Sequence, residues 1–281
     1  MKNYKLDNKV INNFYNTRFR LLFPPILLLL VIIFIFLKKD AFNVYEYIEI
    51  QKDLFFYLNS RLSKLPHLQF NLTQLGDALI FLPLFTVFII YAPKLWDTVI
   101  TSSIIAGVLS ILLKRLFVVP RPAAIFDNDS FVIIGKTIAS THSSLPSGHS
   151  IITFTLITIL LFAFMPKELK SKIFWTFILL SLGLIIAFSR VGVGAHYPFD
   201  VVIGSTIGYI SALIGIFINN KVNLWPWYKN KKYHPILMLL LIIWIFTIIS
   251  KIIINNLLIF YFSLVALIIT LYLIIDIYVK K

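Results

Sequence analysis

Long apolar runs alternate with short polar stretches from one end of the chain to the other. The runs lie near Leu21 to Leu37, Ala78 to Ala92, Thr98 to Val119, Ser150 to Met165, Ile173 to Phe188, Val201 to Ile218, Ile236 to Ser250 and Asn256 to Tyr278. About 20 apolar residues in a helix cross the roughly 30 Å hydrocarbon core of a bilayer, and a helix pairs its own backbone groups where lipid offers them nothing. The pattern predicts an all-α polytopic transmembrane helix bundle of eight spans, the shorter ones extended by neighbouring polar residues. The first run is long for a signal peptide and no small-residue cleavage site follows it, so it reads as a retained anchor. Between the first two runs, YEYIEIQKDLFFYLNSRLSKL sets Ile48, Leu54, Phe55, Leu58 and Leu62 near helical spacing. That predicts an interfacial helix lying on the outer surface as a structural cover.

Composition agrees with the pattern. Of 281 residues, 59% are hydrophobic and 14% charged, mean hydropathy is +0.89, and soluble domains are about a quarter charged. The net charge of +14 raises a nucleic-acid partner, but the basic residues sit in short runs between apolar segments rather than on one basic and aromatic face, which excludes that class. They report topology instead. With a cytoplasmic N-terminus, the inside segments hold 15 of the 26 Lys and Arg, so both termini are expected inside. The segment WPWYKNKKYHP, Trp225 to Pro235, then anchors the spans at the inner interface. The absence of cysteine excludes disulfides, thiol nucleophiles and thiolate metal sites.

Three polar clusters break the apolar pattern. The third span ends in LLKRLFVVPRP, with Lys114 and Arg121 seven residues apart, about two helical turns, which predicts two cations on one side of that helix end. The fourth span opens at LPSGHS, residues 145–150, and the fifth runs into SRVGVGAHYPFD, residues 189–200. Counting spans from a cytoplasmic N-terminus puts all three clusters on the outer face. Lys114, Arg121 and Arg190 are cations rich in donors, suited to a multiply charged oxyanion such as phosphate. Ser147, Gly148 and His149 open a helix whose free N–H groups add anion donors, and glycine lets the backbone come close. His196 and Asp200, spaced i and i+4, pair an imidazole with a carboxylate that fixes its tautomer and makes it a nucleophile; His149, lacking such a partner, suits the general acid. Together they spell nucleophilic phosphoryl transfer through a phosphohistidine.

These residues carry a family resemblance. KRLFVVPRP (Lys114 to Pro122), PSGH (Pro146 to His149) and SRVGVGAHYPFD (Ser189 to Asp200) fit the motifs KxxxxxxRP, PSGH and SRxxxxxHxxxD in order. The chain thus resembles the type 2 phosphatidic acid phosphatase (PAP2) superfamily of membrane lipid phosphatases, over residues 70–218. The resemblance implies that Lys114, Arg121, Ser147, Gly148 and Arg190 bind phosphate, that His149 protonates the leaving group, and that His196 is the nucleophile with Asp200 as its partner. It implies no metal and no other cofactor. Residues 1–69 are then the cytoplasmic N-terminus, first span and outer interfacial segment, 70–218 the phosphatase core, and 219–281 a cytoplasmic loop and two spans beyond the usual six-helix core. His142 matches no motif position and reads as a loop residue, as His67 and His234 read as surface residues.

The expected partners are the bilayer and a lipid phosphate: undecaprenyl diphosphate, a lipid A phosphate, phosphatidylglycerol phosphate or phosphatidic acid, met on the outer leaflet of a bacterial cytoplasmic membrane. Two alternatives share the sequence: a phosphotransferase passing the phosphate to a second lipid, and a lipid-binding or translocating protein with a relic site. The topology has its own test. A reporter that works only outside the cytoplasm is expected to be active when fused after Ile138 and silent after Glu168; the reverse would move the site to the inner face.

Overall fold

The computed structural model describes residues 5–136 and 139–280, so the fusion point at Ile138 lies outside the described residues. Among the described residues every regular element is helical. Along the chain these are α1 (Lys5–Tyr15), α2 (Phe23–Lys38), α3 (Val44–Leu62), α4 (Pro66–Gln74), the short α5 (Ala78–Phe81) and α6 (Phe88–Tyr91), α7 (Pro93–Phe117), the single turn α8 (Pro122–Ile125), α9 (Gly148–Ala163), α10 (Leu169–Gly192), α11 (Pro198–Lys221), α12 (His234–Ile254) and α13 (Leu258–Val279). Proline sits in the first turn of α2, α4, α7, α11 and α12, where its fixed φ suits a helix start and its missing N–H removes a donor that has no helical partner.

Six helical segments are long and apolar enough to cross a membrane, and α9 is a shorter apolar helix of 16 residues. The predicted second span is the exception: Ala78 to Ala92 is not one helix but α5, a 3-10 turn at Leu82–Phe85 and α6. Pro83 is the reason, because it offers no N–H to the Leu79 carbonyl one turn back. The broken segment still runs from one end of the bundle to the other, since Gly76 packs on His149 while Lys94 accompanies Asp7 and Asn219. About 16 residues rising 1.5–2 Å each cover roughly 24–32 Å. Among the described residues eight segments therefore run between the two ends of the bundle, with α1 and the end of α13 at one end and the three polar clusters at the other.

At the end that carries the termini, α1 buries Val10 and Phe14, and Asn13 Nδ2 donates to the Ala163 carbonyl at 2.9 Å. Sequence pattern gave no sign of this cap. The Trp225 to Pro235 segment anchors there through buried Asp97, which accepts from Tyr228 Oη at 2.6 Å and Lys229 Nζ at 2.7 Å. At the site end α3 packs on α10 and α11, but not by the face that the apolar spacing predicted. Its buried face is Tyr47, Ile48, Gln51, Phe55 and Asn59, while Leu54 is 48% exposed. Hydrogen bonds decide the rotation: Asn59 Nδ2 donates to the carbonyls of Val132 and Val191, and Gln51 Oε1 accepts from Phe199 N.

α9 is buried along nearly its whole length and packs most closely on α11, where Gly204 and Gly208 replace side chains with backbone contact. A Cβ at Gly208 would run into the Ile151 carbonyl and stand 3.0 Å from Thr155 N, whereas one at Gly107 in α7 meets nothing within 4 Å. Gly208→Ala is accordingly expected to destabilise by about 1–3 kcal/mol, the usual cost of overpacking. Gly107→Ala is expected to be neutral, or to gain up to about 1 kcal/mol from helix propensity. Thermal unfolding midpoints in detergent read both; equal effects would mean that the α9–α11 contact is not the tight one.

Candidate active site

The first cluster is assembled by a chain reversal rather than by helical register. α7 stops at Phe117 because Val118 takes the left-handed conformation, φ 50°, uncommon for a β-branched residue. The turned chain is then tied down as Ser144 N donates to the Val119 carbonyl at 2.9 Å and Arg121 N to the Ser140 carbonyl at 2.8 Å. Lys114 thus stays on the last turn of α7 and Arg121 lies beyond it, so the two cations are not two turns apart on one helix as the spacing predicted. Arg115, beside Lys114, is exposed.

α10 delivers Arg190 at its last turn, buried. The chain then turns at Gly194, φ 76°, where a Cβ would stand 2.7 Å from the Val132 carbonyl, so only glycine fits. His196 follows, just before the α11 start at Pro198, and Asp200 lies inside the first turn of α11. Their i, i+4 spacing does bring them together, with His196 Nδ1 3.3 Å from Asp200 Oδ2. Asp200 is fully buried and fully engaged: Oδ2 also accepts from Ser144 Oγ at 2.5 Å and Tyr197 N at 3.0 Å, and Oδ1 accepts from Tyr47 Oη at 2.6 Å.

Ser147 caps α9, its Oγ accepting from Ser150 N at 3.4 Å and Ser150 Oγ at 2.9 Å, so the expected phosphate binder also serves the helix end. Its own N–H donates to the Asp200 carbonyl at 3.0 Å, which joins the α9 and α11 starts. A Cβ on Gly148 would lie 3.8 Å from Lys114 Nζ, so the bare first turn of α9 faces that ammonium. His149, half-buried, stands between two openings. One is a mouth of about 490 Å³ shared with Thr73, Lys136, Arg190 and Asn255, the other a cleft of about 280 Å³ shared with Gly76, Asp77, Gly107 and Ser110. His142 is exposed, hydrogen-bonded to its neighbour Thr141.

Charge sets the character of the site. Arg121 and Arg190 are buried, yet their protein partners are hydroxyls: Arg121 Nε donates to Ser143 Oγ at 3.2 Å and Arg190 Nη1 to Thr73 Oγ1 at 2.5 Å. Among the described residues, Arg121 Nη1, Arg190 Nε and His196 Nε2 are buried with no protein partner. Burying an unneutralised guanidinium costs on the order of several kcal/mol, a cost that an oxyanion among the cations would offset. Burial, and after it the charges of Arg121, Arg190 and Lys114, hold the His196 imidazole well below its ordinary range, so it is neutral at pH 7. Burial and the Asp200 carboxylate likewise keep the Tyr47 phenol protonated and donating. Among the described residues, no three His, Cys, Asp or Glu side chains cluster in a way that could hold a metal.

Motif spacing did not reveal the helpers. Ser144 lies two residues before PSGH and was legible only as a polar residue beside it. Tyr47 and Thr73, distant in sequence, carried no signal in the local pattern.

Residues 96–224 match the PAP2 superfamily. An undecaprenyl-diphosphatase of Sulfolobus acidocaldarius is 30% identical over 204 residues, 67% of this chain and 89% of the relative. A crystal structure of Aquifex aeolicus LpxE superposes with a TM-score of 0.50 at 27% identity, over 60% of this chain and 95% of that one.

The cation cluster predicts a ligand effect that needs no turnover. Orthovanadate is expected to raise the thermal midpoint of the purified protein, approaching about 2.7 kcal/mol of stabilisation at a hundredfold excess over Kd. The gain is expected to shrink in Arg121→Ala and Arg190→Ala. An undiminished gain in both variants would remove the cluster as the oxyanion site.

Proposed function

The chain belongs to the PAP2 superfamily, and we propose that it hydrolyses a lipid phosphate or diphosphate through a phosphohistidine formed on His196. One observation carries this reading: among the described residues, a buried histidine, oriented through Nδ1 by Asp200, leaves Nε2 without a protein partner beside three cations that carry no carboxylate partner. The arrangement presents a lone pair and a positive field to the same ligand.

In this mechanism Lys114, Arg121, Arg190 and the first-turn N–H groups of α9 hold the terminal phosphate. His196 is already neutral and needs no base to release its lone pair. Nε2 attacks phosphorus, the bond to the leaving oxygen breaks, and His149 gives that oxygen its proton. The imidazolium formed on His196 is stabilised by Asp200, which accepts from Nδ1. A water then attacks the phosphohistidine with His149, now neutral, taking its proton, and inorganic phosphate and free His196 result. The cations act on the equatorial oxygens, where charge is spread in the transition state.

The protein is a multi-pass membrane protein. The excess of Lys and Arg at the termini end supports a cytoplasmic placement of that end, with the site facing outward from a cytoplasmic membrane. The Sulfolobus relative, an undecaprenyl-diphosphatase, supports including lipid diphosphates among the substrates. A panel of lipid phosphates, with free phosphate and product masses recorded, selects among them.

The two histidines are assigned different steps, which makes the mechanism testable. His196→Ala is expected to abolish both turnover and phosphoenzyme with every substrate, and Asp200→Asn to cripple the same step. His149→Ala is expected to cost about 10²- to 10⁴-fold on a lipid monophosphate and much less on p-nitrophenyl phosphate, whose leaving group needs little protonation. Phosphoenzyme in His196→Ala, or equal losses on both substrates in His149→Ala, would refute the assignment.

A further inference from the structure

The break in the second crossing leaves backbone groups that the C-terminal pair, α12 and α13, supplies with partners. Trp244 Nε1 donates to the Leu79 carbonyl at 2.9 Å, the acceptor that Pro83 leaves without its helical N–H. Ser263 Oγ donates to the Ile80 carbonyl at 2.7 Å, and Thr86 Oγ1 pairs with Thr270 Oγ1 at 2.8 Å. Earlier in the chain Asn71 Oδ1 accepts from Ile259 N at 3.3 Å, and Lys251 Nζ donates to Asp77 Oδ2 at 2.9 Å. The segment Asn71 to Thr86 is thus fastened to α12 and α13 at five points.

The same segment touches the site on its other side. Thr73 receives the Arg190 guanidinium. Gly76 lies so close to His149 that a Cβ there would stand 2.5 Å from His149 Cβ and 2.9 Å from Cδ2. His196 is oriented by hydrogen bonds, but the His149 ring has none to a protein group among the described residues, so the surface it packs on sets its position. Part of that surface is the Gly76 backbone, one residue before Asp77. Asp77 is fixed twice, by Oδ1 accepting from Leu79 N at 3.0 Å and by Oδ2 on Lys251. The ion pair is only 30% and 26% exposed on its two sides, which limits screening by water.

We propose that the C-terminal pair serves the active site, with Lys251 a positioning residue that acts through Asp77 and the Gly76 backbone to hold His149 in register with the leaving oxygen. This rests on the role given to His149 above. Loss of the Lys251–Asp77 tie frees the Gly76 turn and lets the imidazole drift, which weakens proton delivery while the cation cluster and His196 stay in place. A residue that only stabilised the fold would lower turnover of all substrates alike.

The test compares purified full-length Lys251→Met, Asp77→Asn, Lys251→Arg and His149→Ala on two substrates: the lipid monophosphate that the wild type hydrolyses best, and p-nitrophenyl phosphate. Lys251→Met and Asp77→Asn are expected to lose roughly 10- to 100-fold in kcat/KM on the lipid, the scale of an ångström-sized misplacement, and less than about threefold on the activated ester. Lys251→Arg is expected to stay near wild type. Asp77→Asn keeps the side-chain acceptor for Leu79 N, so it gives a reading even if Lys251→Met fails to fold. Equal losses on both substrates, or no loss on either, overturn the proposal. If His149→Ala discriminates between the substrates and the Asp77 and Lys251 variants do not, this inference alone falls; if His149→Ala does not discriminate, the role of His149 falls and takes the inference with it.

Discussion

Buried positive charge held, among the described residues, without a carboxylate partner is the constraint that shapes this protein. Arg121 and Arg190 are buried with hydroxyls as protein partners, and the nearby carboxylate, Asp200, already accepts from Tyr47, Ser144, Tyr197 and His196. A salt bridge to either guanidinium would have lowered the cost of burial but cancelled the field that an incoming phosphate meets. Neutral partners orient a cation without neutralising it, which is the condition for electrostatic stabilisation that needs no rearrangement when substrate arrives.

That constraint explains why elements outside the motifs crowd the site. α3 covers it and sends Tyr47 to Asp200, α4 sends Thr73 to Arg190, and the loop before α9 supplies Ser143 and Ser144. Each contributes a hydroxyl, a group able to donate or accept without bringing charge. The two histidines are supported differently. His196 sits in a hydrogen-bonded frame and His149 against a packed glycine, a difference that suits the roles proposed for them, attack along a fixed line for one ring and proton transfer for the other.

Legibility in the sequence followed the physics of each feature. Apolar run length is a one-dimensional property, so seven of the eight runs are continuous helices within a few residues of the expected bounds, from α2 at Phe23–Lys38 to α13 at Leu258–Val279. The eighth failed at Pro83, where hydropathy sees an apolar residue and the backbone sees a missing donor. The His196–Asp200 pair was legible because four residues near a helix start fix their proximity, but the approach of Lys114 and Arg121 depends on a left-handed Val118 that no spacing rule reports. Tyr47, 153 residues from its partner Asp200, could not be read at all, since long-range contacts leave no mark on local pattern. The orientation of α3 was misjudged for a related reason: apolar periodicity assumes that the buried face is greasy, and here three of its five buried residues are polar or phenolic.

A six-helix core with an unbroken second helix would satisfy its own carbonyls in lipid and have no need of further spans. Once proline interrupts that helix, the freed groups must find donors from protein, because the bilayer has none. α12 and α13 provide them at Leu79 and Ile80, which gives two apolar helices with no catalytic motif of their own a structural task. Just before α5, the turn between α4 and Asp77 places the Gly76 backbone against His149, a position that leaves no room for a side chain. A defect in one membrane crossing and the extra pair that repairs it are, on this view, one structural unit built beside the proposed acid.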